Sequence, residues 1–210
     1  MRSFSAICLT VLAWAAAGCG GGGAEPERYY LGPGADLPLA TIVATALDAD
    51  VRGVFSTQGT AGFAGLPDGR ASYTGVLVGG APASVPGAGP VTDYAADLKL
   101  SVDFDSRSIS GEARHFVTSL PGFESPEGVV PVLGEIETFL FLPNIRFSGA
   151  GSLQQEGTTA FFGVSGDAGS FAGGGAPVAS GLLQAEFDWQ AGPDAGTRSR
   201  SAGEFWLVQD

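Results

Sequence analysis

Tyr94-Ala95-Ala96-Asp97-Leu98-Lys99-Leu100-Ser101-Val102-Asp103-Phe104-Asp105 is the stretch that decides the fold. Tyr94, Ala96, Leu98, Leu100, Val102 and Phe104 alternate with Ala95, Asp97, Lys99, Ser101, Asp103 and Asp105. A period of two places the first set on one face of a strand and the second on the other. Asp105-Ser106-Arg107 is a polar turn, and residues 108–117 form the returning strand of a hairpin. One face of that hairpin is apolar and the other carries Asp97, Lys99 and Asp103, so the apolar face belongs in a core and the charges in water.

Working outward, further strand-like segments occur at 51–58, 70–78, 138–149, 158–164, 169–173, 180–190 and 203–209, separated by Gly- and Pro-rich turns. Helical periodicity is confined to residues 37–50. Many short strands joined by tight turns imply a sandwich or a closed antiparallel barrel. Glycines inside strand patterns, at Gly75, Gly111, Gly163, Gly173 and Gly181, favour the barrel, because strong curvature needs close backbone approach. The expectation is an all-β, soluble, antiparallel barrel of about eight strands over residues 41–210. A membrane-spanning barrel would need its outer face apolar, and acids there would cost several kcal/mol at the bilayer midplane.

The N-terminus reads differently. Arg2 is a positive n-region, residues 7–17 are an apolar core too short to span a bilayer, and Ala16-Ala17-Gly18-Cys19 is a small-residue cleavage site. This resembles a lipobox, so residues 1–18 are expected to be a lipoprotein signal peptide and Cys19 the acylated (palmitate-bearing) first residue of the mature chain. Residues 19–40 are then a Gly/Pro-rich tether, opening with Gly20-Gly21-Gly22-Gly23. Gly20 rather than Asp after the cysteine resembles lipoproteins forwarded to the outer membrane. The only other cysteine, Cys8, lies in the signal, so the domain is expected to fold without a disulfide. Removing residues 1–18 takes one arginine and no acid, which moves the net charge from −12 to −13. Nucleic acid is excluded as a partner by that charge, and no polybasic patch exists to hold anionic lipid. Membrane attachment is expected through the lipid alone.

Three pieces, in order, resemble the β-barrel of the transferrin-binding-protein-like lipoproteins, a family similar to factor-H-binding and haemophore barrels of Gram-negative bacteria. They are Leu66-Pro67-Asp68-Gly69-Arg70-Ala71-Ser72-Tyr73-Thr74-Gly75, the hairpin LKLSVDFDSRSISG at 98–111, and GSFAGGGAPVASG at 169–181. Ala172 and Val178 depart from the aromatic and acidic residues usual at those positions, and the Leu-Pro turn is one residue short. The resemblance implies a monomeric binding module without enzymatic activity, displayed on the cell surface and engaging a host protein or a small nutrient ligand. The chain is one barrel long, whereas transferrin receptors of this family have two lobes with handle domains, so transferrin is not the expected ligand. An alternative is a structural lipoprotein on the periplasmic side with no ligand.

Candidate binding residues are few. Counting by twos from Ile109, Gly111 and Ala113 turns His115, the only histidine, toward the barrel interior. There it is a candidate haem or metal ligand, with Tyr29, Tyr30, Tyr73 and Tyr94 as possible second ligands. The simpler reading is a hydrogen-bonded histidine, since a lone imidazole with no Cys, Met or second His makes no metal cluster. The irregular segment 117–131 carries Leu120 and Phe123, which either form a binding patch or fold over the barrel end; residues 31–39 are placed at the opposite end. No nucleophile–base pair, no Gly-x-Ser-x-Gly and no Ser-x-x-Lys occurs, so an enzyme is not expected. Asp103 with Asp105 and Glu135 with Glu137 are acids on solvated strand faces.

Overall fold

A computed structural model of the chain describes residues 29–80 and 92–210. The expected signal peptide, Cys19 and the first part of the tether lie outside the described residues. Eight strands close into one antiparallel barrel in simple sequential order: β1 (Arg70–Gly80), β2 (Asp93–Asp103), β3 (Ser108–Thr118), β4 (Val130–Phe139), β5 (Leu142–Gln155), β6 (Thr158–Ala172), β7 (Val178–Ala191) and β8 (Arg198–Gln209). β8 returns to pair with β1, from Tyr73 opposite Gln209 to Gly80 opposite Ala202, so no sheet edge is left open. Along β2 the inward set stands as its alternation requires, with Tyr94, Ala96, Leu98, Leu100 and Val102 all buried in the barrel.

The interior is full. Phe162 packs edge-on against Tyr94, Phe116 and Phe187 with ring centres 4.9–5.5 Å apart, Phe147 meets Phe205 at 5.2 Å, and Phe187 stacks on Trp189. One end is stoppered by the 3₁₀ turn Phe63–Gly65 and by Ala61, whose N–H donates to the carbonyl of Phe171. Charged residues ring the outer wall in pairs such as Arg70 with Asp103 and Arg200 with Glu186. That distribution, apolar within and ionised without, is the inverse of a lipid-exposed pore.

Three strand assignments are corrected. Residues 51–58 are not a strand but the second half of a helix, α1 (Leu37–Gln58), capped by the Asp36 carboxylate on the Leu39 N–H and ended at Gly59. The stripe Ala40, Ala44, Leu47 and Val51 runs on with helical spacing and lies against Val76, Ala95, Val178 and Trp206 on the outside of the wall. Residues 138–149 are two strands, β4 and β5, joined at Leu140 and Phe141. Residues 158–164 and 169–173 belong to a single strand, β6, with an irregularity between Gly166 and Ala168. Leu31 and Ala35 do not cap a barrel end; they pack with α1 on the wall.

Among the described residues no helix is long and apolar enough to cross a membrane.

Candidate functional site

Connections at the two ends of the barrel differ in length. Among the described residues, 119–129, 156–157 and 192–197 lie at one end, and 104–107, 140–141 and 173–177 at the other. Long loops on a rigid frame are where recognition usually resides. The site residues named from sequence fall at or near the long-loop end, but the structure does not gather them into one pocket.

His115 is not inside the barrel. Asp97 pairs with Arg114 and Ala95 with Val117, so His115 and Phe116 together oppose the single residue Ala96. This β-bulge, with His115 in the left-handed region at φ 52°, shifts the alternation by one and turns Phe116 inward in its place. The imidazole instead lies on the outer wall, where Nδ1 donates to Asp97 Oδ2 at 2.8 Å. Asp97 is 1% exposed. Its carboxylate also accepts the N–H groups of Tyr30 and Leu31 at 2.8 Å and of Gly32 at 2.9 Å. The expected solvated acid is therefore a covered one, satisfied by four donors, that clamps the N-terminal segment to the barrel. Tyr29 stands edge-on to the imidazole at 4.7 Å. Beside it Gly32, Ala35, Ser125 and Glu127 line a cleft of about 300 Å³. The haem reading placed His115 in the barrel interior or at its mouth; the imidazole instead lines this cleft on the outer wall and is tied to Asp97. Among the described residues no group of three His, Cys, Asp or Glu side chains is placed to hold a metal.

Leu120 and Phe123 face the core rather than a ligand. Phe123 is wholly buried, edge-on to Trp189 at 5.2 Å, and its carbonyl accepts the Thr118 hydroxyl; Leu120 packs beside it, half-buried. The segment 119–129 folds its apolar residues over the barrel end, which leaves Glu124, Ser125, Glu127 and Val129 to solvent. On the flank a second groove of about 460 Å³ runs between α1 and the wall over Thr41, Val78, Tyr94 and Trp206.

Sequence reasoning missed the most exposed apolar feature. Phe139 and Leu142 form the last pair of the β4–β5 hairpin, and Leu140 and Phe141 make its two-residue turn. All four are exposed, Leu140 at 74% and Phe141 at 92%. Both turn residues have positive φ, 48° and 68°. Tight hairpin turns with that backbone favour Asn-Gly, and here Leu-Phe holds it. Below the tip Arg146 bridges Glu137 at 3.0 Å and Asp167 at 3.6 Å. The signal in the sequence was the run Phe139-Leu140-Phe141-Leu142 itself, apolar without alternation, with no turn-forming residue to break it.

A scan against models of known protein families finds none that matches the chain, and a search of characterised proteins finds no relative.

Proposed function

We propose that the chain is a lipid-anchored, non-enzymatic binding module of the outer membrane, acylated at Cys19, whose long-loop end engages a host protein or nutrient ligand. The observation that carries this reading is the asymmetry of a stoppered barrel: its interior is filled by side chains, and the two longest described connections, 119–129 and 192–197, lie at the same end. A filled barrel takes no ligand inside. Recognition then falls to the surface, and among the described residues the connections at 119–129 and 192–197 are the longest between strands. The three segments that resemble transferrin-binding-protein-like barrels, and the lipobox upstream of them, point the same way.

The filled interior also favours a second reading, a periplasm-facing lipoprotein that scaffolds envelope components. Protease shaving of intact cells, followed by antibody to the barrel and with lysed cells as control, separates the two. Digestion on intact cells is the expected result; protection until lysis would transfer the lead to the scaffold.

A further inference from the structure

We propose that the β4–β5 hairpin tip, Phe139, Leu140, Phe141 and Leu142, inserts into the surface of a lipid bilayer and stands the barrel with its long loops pointing away from it. Four successive exposed apolar side chains project from a convex tip. A convex wedge needs a medium that deforms around it, which a bilayer does and a preformed protein pocket must be built to do. The order of chemistry down the hairpin fits the depth profile of an interface. The apolar tip comes first, then Glu137 opposite Asn144, then Glu135 opposite Arg146, with Arg146 tied to Glu137 and Asp167. Apolar groups would enter the acyl boundary while the ion-paired belt stays hydrated.

Charge narrows the lipid. The belt has three acids to one arginine, and the whole chain carries −12. Anionic headgroups would repel it, so the surface implied is zwitterionic and the binding insensitive to salt. Placement supplies an independent argument. The tip sits at the short-connection end, opposite the loops at 119–129 and 192–197, so insertion exposes the loops rather than hiding them. The inference rests on the tethered reading above only for bringing the tip to the membrane. Cys19 is ten residues from Tyr29, a span of at most about 35 Å.

The test is Phe141→Trp in the acylated mature chain, reconstituted into phosphatidylcholine vesicles that contain phosphatidylcholine brominated high on its acyl chains. The unsubstituted protein, with Trp189 and Trp206 buried, gives the background. The expected result is flotation with the vesicles, a blue-shifted emission from the new tryptophan and at least a twofold quenching by the brominated lipid, unchanged in 0.5 M salt. Flotation with an unquenched, water-exposed emission would overturn the insertion and leave the tether standing. A blue shift without quenching that depends on protein concentration would overturn it in favour of contact between copies, and a blue shift without quenching that appears only when another protein is added would overturn it in favour of a protein partner. Failure to float would sink tether and insertion together.

Discussion

Gly75 shows how one residue constrains a closed barrel. A Cβ built there would overlap the Trp206 carbonyl of the neighbouring strand, whereas one at Gly163 would meet nothing within 4 Å. Gly75→Ala is expected to destabilise the fold by about 2–3 kcal/mol, the scale of overpacking, and Gly163→Ala to be neutral or slightly stabilising; chemical denaturation of the two variants checks this. Both glycines read alike in sequence, because which one meets a neighbouring backbone depends on local coiling that no pattern along one strand records. Leu140 and Phe141 bear the opposite relation to stability. Each non-glycine residue in the left-handed region costs about 1–2 kcal/mol. Replacing the pair with Asn-Gly is therefore expected to raise Tm, by roughly 3–6 °C for a domain of this size, while removing the apolar tip. An unchanged or lower Tm would show the turn to be unstrained. At alkaline pH the buried phenols decide. Burial pushes Tyr94 up to about 12, against a weaker opposing pull from the Ser201 hydroxyl, and raises Tyr73 as well. The unfolded chain ionises near 10, so the preference of the fold for neutral phenols is complete below pH 10 and fades between pH 10 and 12. Thermal unfolding should show Tm holding to about pH 10 and then falling, with a shallower fall in Tyr94→Phe.

Among the elements, α1 was half legible. Its first part has a stripe that reads as helix, but Val51, Val54 and Phe55 are β-favouring residues that mask the helical spacing continuing to Gly59. Packing on the wall overrides that propensity. Val51→Asp would place an unpartnered carboxylate between α1 and the barrel, where Val51 is wholly buried. It is expected to cost about 3 kcal/mol and to shift the emission of Trp206, which lies beneath α1, to the red. Loss of stability without a red shift would mean that α1 stays docked. The β2–β3 hairpin follows its alternation except at its bulge and at Asp97, which is covered rather than solvated. Phe116, a larger apolar side chain one position past His115, marks the phase change, but counting by twos passes over it. The bulge removed the candidate haem ligand from the barrel and made it part of the clamp that Asp97 closes on Tyr30, Leu31 and Gly32.

For the whole molecule, the antiparallel all-β class was accessible because period-two alternation and turn residues are local signals. The strand number came close only through errors that partly cancel: the false strand at 51–58 and β6 counted twice add to it, and the merged pair at 138–149 subtracts. The clamp was not accessible, because it depends on Asp97 meeting a segment more than sixty residues away, and the tip was hidden for a different reason: its apolar run carries no turn residue to mark a hairpin. What emerges is a filled, stoppered barrel with a helix on its flank, long loops at one end and an apolar tip at the other. If that polarity serves display, the long-loop end faces the medium. The mature chain as read has no free thiol, since Cys8 leaves with the signal and Cys19 is acylated. Ala195, exposed in the 192–197 loop, is then a clean place for a probe. The most direct measurement is labelling of Ala195→Cys on intact cells with a membrane-impermeant maleimide, with the unsubstituted protein and lysed cells alongside. The account predicts labelling on intact cells equal to that after lysis, and none in the unsubstituted protein. Labelling of Ala195→Cys only after lysis would contradict surface display, and labelling of the unsubstituted protein would contradict acylation at Cys19.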